Sequence, residues 1–101
     1  MKKTSYIKSA KRTLDIESKA IIKLSKNLDQ NFSKLCDALL SCKGKIITIG
    51  VGKSGHIAQK ISATLSSTGS PSYFIHATEA LHGDIGIISN NDAILIFSHS
   101  G

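Results

Sequence analysis

A glycine-rich turn that carries a lysine and a serine is the part of this sequence best suited to chemistry. The stretch Ile46–Ala58 reads IITIGVGKSGHIA, so a β-branched run enters the turn and an apolar helical pattern leaves it. Unpaired backbone N–H groups and a partial positive charge at the start of such a helix attract an anion. The turn therefore predicts a phosphate site, and its neighbours must indicate which phosphate compound it binds.

Two nucleotide-binding motifs match this turn incompletely. The P-loop pattern GxxxxGK[ST] matches the letters GKS, but its opening glycine would fall on Ile47, inside the predicted strand. The dinucleotide fingerprint GxGxxG matches the letters GVGKSG and has a strand and a helix on the correct sides. That fingerprint also needs an acid near the end of the second strand, where His76 stands, and Glu79 follows only in the next segment. A dinucleotide-binding fragment stays an alternative.

Two serines that follow the third predicted strand favour a sugar phosphate. Ser98 and Ser100 belong to the final letters SHSG, directly after the apolar run AILIF. In a parallel sheet these serines lie at the same edge as the glycine turn, where open α/β sheets bind their ligands. Because hydroxyl groups donate to phosphate oxygens, the residues predict half of a phosphate pocket. An ordinary serine-rich turn is the alternative interpretation.

The elements that must position these residues alternate between helix and strand. Apolar residues at steps of three, four and seven predict a helix over 5–28 and a second helix over 32–42. Asp29 or Asn31 can cap the second helix, and Gly44 is expected to end it. The other predicted elements are strands at 45–50, 72–75 and 93–97, a helix at 54–68 and an irregular segment at 76–89.

This order predicts an α/β fold in which N-terminal helices precede about three parallel strands with a crossover helix. Uniformly apolar strands are typical of a sheet whose two faces are both buried. We expect the crossover helix on one face and the first two helices on the other. The length of 101 residues has room for one small domain.

Charge and hydropathy limit the partners of the chain. The net charge of +6 belongs to residues 1–26, which hold eight basic residues against two acids. Only Tyr6 interrupts these charges with an aromatic ring, so we expect a solvated helix face with neither nucleic acid nor membrane as partner. Cys36 and Cys42 fall on different faces of a helix, which disfavours a disulfide. Without a membrane-length apolar run or a secretion signal, a cytoplasmic protein is expected.

The segment from about Gly44 to Gly101 resembles the start of the sugar isomerase (SIS) domain of bacterial arabinose-5-phosphate isomerases. The motifs that carry the resemblance are, in order, GVGKSG, STG, HATEALHGD and SHSG. The resemblance extends less distinctively over the N-terminal helices. It implies part of a three-layer SIS-type fold, with an N-terminal helical segment at 1–43 and the first half of the SIS domain at 44–101.

The resemblance also implies roles for individual residues. Lys53 matches a lysine implicated in catalysis, and His76 matches a histidine that binds a divalent metal such as zinc; no other cofactor is implied. Glu79 and Asp84 are nearby candidates for further metal ligands. His99 stands where the family more often has asparagine. The residues implied to contact the substrate or its phosphate are Ser54, Gly69, Ser70, His82, Ser98 and Ser100.

The reaction that the resemblance implies is the interconversion of ribulose 5-phosphate and arabinose 5-phosphate through an enediol. The family's further catalytic acids and histidine follow the serine turn, whereas this sequence stops at Gly101. We therefore expect a truncated isomerase-like protein that binds a sugar phosphate but is inactive alone. A non-catalytic fragment is the alternative. The family assembles as tetramers, which implies a homo-oligomer built through the N-terminal helices.

Overall fold

The computed structural model describes residues 5–100 of the chain. The chain divides into two compact units, Met1–Lys34 and Leu35–Gly101. Residues 1–4 and 101, which belong to the predicted segments 1–43 and 44–101, lie outside the described residues. The boundary between residues 43 and 44 stays a prediction.

The first unit is dominated by one long helix, α1 (Tyr6–Asn27). Ser5 caps the start of this helix, since its hydroxyl accepts a hydrogen bond from the Lys8 N–H at 3.2 Å. No residue of α1 is buried, although apolar side chains recur along one stripe. Helix α2 (Gln30–Leu40) follows, and of the two predicted caps it is Asp29 that accepts, from the Asn31 N–H at 2.9 Å.

The second unit is built on a parallel three-stranded sheet of β1 (Ile46–Gly50), β2 (Ser72–His76) and β3 (Ala93–Ile96). The strand order is β2-β1-β3, with β1 paired to both neighbours. Every residue of β1 is buried, as an isoleucine-rich central strand covered on both faces should be. The predicted α/β fold with three parallel strands is confirmed.

Helix α3 (Gly52–Ser67) is the crossover between β1 and β2 and covers one face of the sheet. The buried Thr48 hydroxyl donates to the Ala58 carbonyl at 2.8 Å, which joins β1 to the middle of α3. The Ser72 hydroxyl donates to the Ile46 carbonyl at 2.7 Å and lies 2.9 Å from the Ser62 hydroxyl. Because Ser72 has one hydroxyl proton, Ser62 is the donor to Ser72.

The other face of the sheet carries the buried cluster Ile47, Ile49 and Ile75. The hydrophobic residues that pack against this cluster come from helix α4 (Ala77–Leu81) and from Ile88, which follows a 3₁₀ helix at Asp84–Ile87. None of them belongs to residues 35–40, the part of α2 within the second unit, and cover by α1 stays a prediction. On β3 the side chains of Ile94 and Ile96 remain 46% and 72% exposed.

Gly44 has a different role from the one predicted for it. Helix α2 ends at Leu40, and Gly44 does not adopt a positive φ. Instead its N–H donates to the Asn91 carbonyl at 2.9 Å, and a Cβ built on it would collide with Asn91 and the Asp92 carboxylate. Glycine is required because the chain before β1 runs against the turn before β3.

Asp92 fastens the starts of β1 and β3 to each other. Its carboxylate accepts hydrogen bonds from the Ser89 N–H at 2.8 Å, from the Lys45 N–H at 2.7 Å and from the Lys45 ammonium at 2.9 Å. The Ser89 bond, followed by the Lys45 bonds, holds the pKa of the Asp92 carboxyl far below its ordinary value. The ionised carboxylate is therefore part of the folded structure.

We expect Asp92→Asn to lower the unfolding midpoint at neutral pH, because an amide cannot accept all three bonds. A carboxyl whose folded-state pKa is depressed stabilises the fold above its unfolded value of about 4, and that stability is lost as the pH falls below it. The difference between native and variant should thus shrink in acid, measured by thermal unfolding between about pH 2 and pH 7.

Asp37→Asn on the exposed surface of α2 is the matched control for this prediction. It removes the same charge without touching the Ser89 and Lys45 donors. An Asp92→Asn deficit that stays constant down to the lowest pH would contradict the role of the ionised carboxylate.

Candidate functional site

The carboxyl ends of the three strands meet at one edge of the sheet. Gly50, the last residue of β1, is paired with His76, the last residue of β2. On the other side the Phe97 N–H donates to the Ile49 carbonyl at 2.9 Å, which continues the pairing one residue beyond β3. This bond carries the segment after β3 alongside the glycine turn.

Glycine is favoured at each of these three positions for a different structural reason. A Cβ on Gly50 would lie 2.8 Å from the Ser54 carbonyl oxygen and 2.9 Å from the Gly55 nitrogen. A Cβ on Gly55 would lie 3.1 Å from the Gly50 carbonyl oxygen. Gly52 has open space around it but a φ of +60°, which favours glycine. The spacing GxGxxG thus serves close packing of the first helical turn on the strand end.

The start of α3 has no side-chain cap. Val51 occupies the cap position in an extended conformation, and its side chain makes no capping hydrogen bond. The Gly55 N–H is bonded to the Val51 carbonyl at 3.1 Å, so the helical bonding begins there. The N–H groups of the first turn are the ones that a helix leaves without intrahelical partners. They form, with the helix dipole, an attractive environment for an anion.

A cavity of about 380 Å³ opens at this edge of the sheet. Its lining combines apolar side chains with polar ones, and the polar ones come from the α3 start and from the segment after β3. The residues that carry hydroxyl or imidazole groups into the lining are Ser54, Ser98, His99 and Ser100. One cavity therefore brings together three of the serines that the sequence analysis selected.

Lys53 lies beside this cavity without lining it. It is exposed at the second position of α3, between Gly52 and the lining residue Ser54.

The P-loop alternative does not suit the geometry of the glycine turn. Its first glycine would coincide with Ile47, which is fully buried in the middle of β1.

His76 is half-buried at the end of β2 and caps α4. Its Nδ1 accepts a hydrogen bond from the Thr78 N–H at 3.2 Å, and its ring meets Phe74 edge-on with centroids 6.4 Å apart. A ring that accepts at Nδ1 carries its neutral-state proton on Nε2, whereas a histidine that ligates a metal through Nε2 normally donates from Nδ1. Capping α4 and ligating a metal through Nε2 therefore exclude each other.

The described residues do not fit a metal centre around His76. Across residues 5–100, no three His, Cys, Asp or Glu side chains converge where they could hold an ion. Glu79 lies in the first turn of α4 and Asp84 begins the 3₁₀ helix, and neither completes such a set. The metal at His76 stays a prediction. His82 is exposed at the end of α4, with its N–H bonded to the Glu79 carbonyl at 3.0 Å.

Gly69 and Ser70 lie at the opposite edge of the sheet. They precede β2, and with Leu39, Cys42 and Gly44 they line a second cavity of about 230 Å³. Gly69 adopts a φ of +101° after the end of α3, so it serves the turn into β2. Their contact with a substrate stays a prediction, and within this chain the structure does not bring them to the serines.

Sequence reasoning missed the contribution of His99 to the cavity. The imidazole was noted only as a departure from the family's asparagine, yet it lines the same cavity as its two neighbouring serines. The available signal was its position between two residues already assigned to the pocket. The place of Ala77, the first residue of α4, in the cavity lining was also not predicted.

Comparison with known proteins identifies relatives of this arrangement. Residues 39–101 match the SIS domain family. The chain is 47% identical over 96 residues to the arabinose 5-phosphate isomerase KdsD of Pseudomonas aeruginosa, covering 95% of this chain and 29% of that protein. The Escherichia coli K12 enzyme of the same name is 43% identical, again over 95% of this chain and 29% of that protein.

Solved structures share the fold. The E. coli CFT073 protein c3406, in complex with arabinose 5-phosphate, superposes with a TM-score of 0.87 at 43% identity. A Listeria monocytogenes protein described as a sugar-phosphate isomerase superposes with a TM-score of 0.86 at 26% identity. In both cases 95% of this chain and 51% of the other chain are covered. The chain thus spans under a third of its curated relatives and about half of these solved chains.

Glycine-to-alanine substitutions should separate the two requirements of the turn. We expect Gly50→Ala to cost more than about 2 kcal/mol of unfolding free energy, because the new Cβ meets backbone atoms that cannot move aside. Gly52→Ala should cost about 1 kcal/mol for the positive φ alone. Urea unfolding followed by circular dichroism measures both.

Gly86→Ala is the matched control, because its Cβ would meet nothing within 4 Å and its φ is not positive. We expect it to change stability by less than about 0.5 kcal/mol. A Gly50→Ala variant as stable as Gly86→Ala would disprove the close approach of strand and helix.

Proposed function

We propose that this chain, which belongs to the SIS domain family, binds a phosphorylated pentose in the cavity at the carboxyl edge of its sheet. The observation that carries the proposal is the shared cavity of Ser54, at the uncapped start of α3, and Ser98 and Ser100, after β3. Backbone N–H groups, the helix dipole and hydroxyl donors suit a phosphate group. Relatives named arabinose 5-phosphate isomerase, and a neighbour in complex with that sugar phosphate, support a pentose 5-phosphate.

The proposed reaction context is aldose–ketose isomerisation of ribulose 5-phosphate and arabinose 5-phosphate. Lys53 adds a cation beside the phosphate cavity and would stabilise the developing enediolate. In this proposal His82 contacts the sugar. Gly69 and Ser70 line the cavity at the opposite edge of the sheet, so their contact with a sugar, like a metal at His76, stays a prediction outside this proposal. Moving a proton between adjacent carbons needs a general base within hydrogen-bond reach. No carboxylate is among the described residues that line the cavity, so we propose binding without turnover for this chain alone.

A dinucleotide receives less support than a sugar phosphate. The fingerprint requires an acidic residue near the end of β2 to hold a ribose. Strand β2 ends at His76, whose Nδ1 is engaged with the Thr78 N–H, and Glu79 lies within α4.

A cytoplasmic location remains part of the proposal. Among residues 5–100, no helix combines the length and apolar character that crossing a bilayer requires.

Lys53→Ala should weaken the binding of arabinose 5-phosphate by roughly two- to five-fold, the range expected for one exposed ion pair. The weakening should diminish at high salt, which screens the lysine. Backbone NMR titration measures the affinity and also locates the site. We expect the largest amide shifts in residues 52–54 and 98–100, and no comparable response to unphosphorylated arabinose.

Lys60→Ala is the matched control, since it removes an exposed lysine further along α3. Amide shifts confined to Gly69, Ser70 and Ser72 would move the site to the other cavity and contradict the proposal. So would binding of NAD with shifts at the glycine turn and none from the sugar phosphate. Formation of arabinose 5-phosphate from ribulose 5-phosphate by the native chain, abolished in Lys53→Ala, would overturn the expectation of binding without turnover.

We also propose that the chain associates with copies of itself through α1. Ile7, Leu14 and Ile21 are spaced by seven residues and are 72%, 68% and 68% exposed. A seven-residue apolar repeat is the pattern by which helices pair side by side. Burying such a stripe in a helix pair would remove the apolar surface from water.

Leu14→Lys should shift the chain toward the monomer in multi-angle light scattering, because a lysine cannot be buried in a helix pair at low cost. Thr13→Lys adds the same charge off the stripe and serves as the control. An oligomer of unchanged size in Leu14→Lys would exclude the α1 stripe as the interface.

A further inference from the structure

One titratable side chain lines the cavity at the carboxyl edge. His99 lies between Ser98 and Ser100, and within residues 5–100 it is the only ionisable residue in the cavity lining. The remaining lining consists of glycine, alanine, serine and larger apolar side chains. Within this lining, an imidazole is therefore available to a ligand only from His99.

We infer that His99 is a ligand of the phosphate group and makes the affinity of the cavity for anions increase when the imidazole is protonated. The inference rests on the proposed function, since it adds a residue to the same site. Histidine is the side chain whose ordinary charge change falls between pH 5 and 8. A protonated imidazole donates from both nitrogens, and a charge-assisted bond to an anion is about twice as strong as a neutral one.

Charged groups on the neighbouring elements do not substitute for His99. Helix α3 carries Lys53 and His56 near its start, and neither side chain lines the cavity. A lysine ammonium is ordinarily charged throughout this pH range, so it adds a constant attraction.

On the β2 side the neighbours are His76 and Glu79, which also stay outside the lining. Nδ1 of His76 accepts the Thr78 N–H, and protonating that nitrogen would break the α4 cap. An ionised carboxylate such as that of Glu79 repels an anion and cannot replace the attraction of a cation.

Anion titrations of three chains at two pH values test the inference. The native chain, His99→Asn and His56→Asn are compared by NMR at about pH 6 and about pH 8, on either side of the ordinary histidine titration. Sulfate is the first probe, because it keeps both charges over this range and isolates the protein's own titration. Arabinose 5-phosphate is the second probe.

We expect the native chain and His56→Asn to bind sulfate about three-fold more tightly at the lower pH, as one added exposed charge contact would give. His99→Asn keeps an amide donor at the site but has no charge to gain, so its two affinities should be equal. His56→Asn is the matched control because it makes the same substitution on the exposed surface of α3, outside the lining.

Three results would overturn the inference. Equal pH dependence in the native chain and His99→Asn would remove His99 from the site and leave the proposed function intact. If His56→Asn also lost the pH dependence of sulfate affinity, that dependence would reflect the net charge of the chain and not a contact made by His99. If the native chain binds neither probe at either pH, the proposed function fails, and the role of His99 fails with it.

Discussion

The approach of the Gly50 backbone to the first turn of α3 is the constraint on which the site depends. With the Ser54 carbonyl and the Gly55 nitrogen under 3 Å from where a Cβ would stand, the helix begins directly against the end of β1. This contact directs the uncapped N–H groups of α3 to the same edge as the end of β3. The hydrogen bond from Phe97 to the Ile49 carbonyl then brings the serine segment to that edge. The atoms that pack α3 on β1 therefore also set the position of the uncapped helix start.

The two edges of the sheet are built for different purposes. At the amino edge Asp92 satisfies two backbone N–H groups and a lysine, and Gly44 allows the β1 entry to lie against the Asn91 turn. Serine hydroxyls fasten α3 to β2 at the same edge. At the carboxyl edge the exposed side chains of Ser98, His99 and Ser100 face a cavity. A firmly bonded edge holds the strands in register, and this fixes the positions of the polar groups at the other edge.

Much of this architecture could be predicted from local sequence patterns. The isoleucine run of β1, the glycine turn and the apolar period of α3 each indicate one type of element, and their order permits few topologies. The meeting of Ser54 with Ser98 and Ser100 followed from the rule that parallel strands end at one edge. The role of Gly44 was predicted wrongly, because the sequence does not distinguish a glycine that ends a helix from one that allows a close contact with a remote segment of backbone. The contact of α4 with the Ile47 face was not predicted because α4 lies in a segment of weak periodicity. His99 was underrated since a residue's place in a cavity depends on partners that are remote in sequence.

Exposed apolar surface links the stability of this chain to its partners. Among the described residues the buried hydrophobic core is small, consisting of Ile46, Ile47, Ile49, Ala58 and Ile75. Meanwhile Ile94 and Ile96 on β3 are left open to water, and so is the stripe on α1. At about 25 cal/mol for each Å² of apolar surface removed from water, covering either surface would stabilise the folded chain. Because any partner that covers them binds the folded form in preference to the unfolded one, stability should increase with partner concentration.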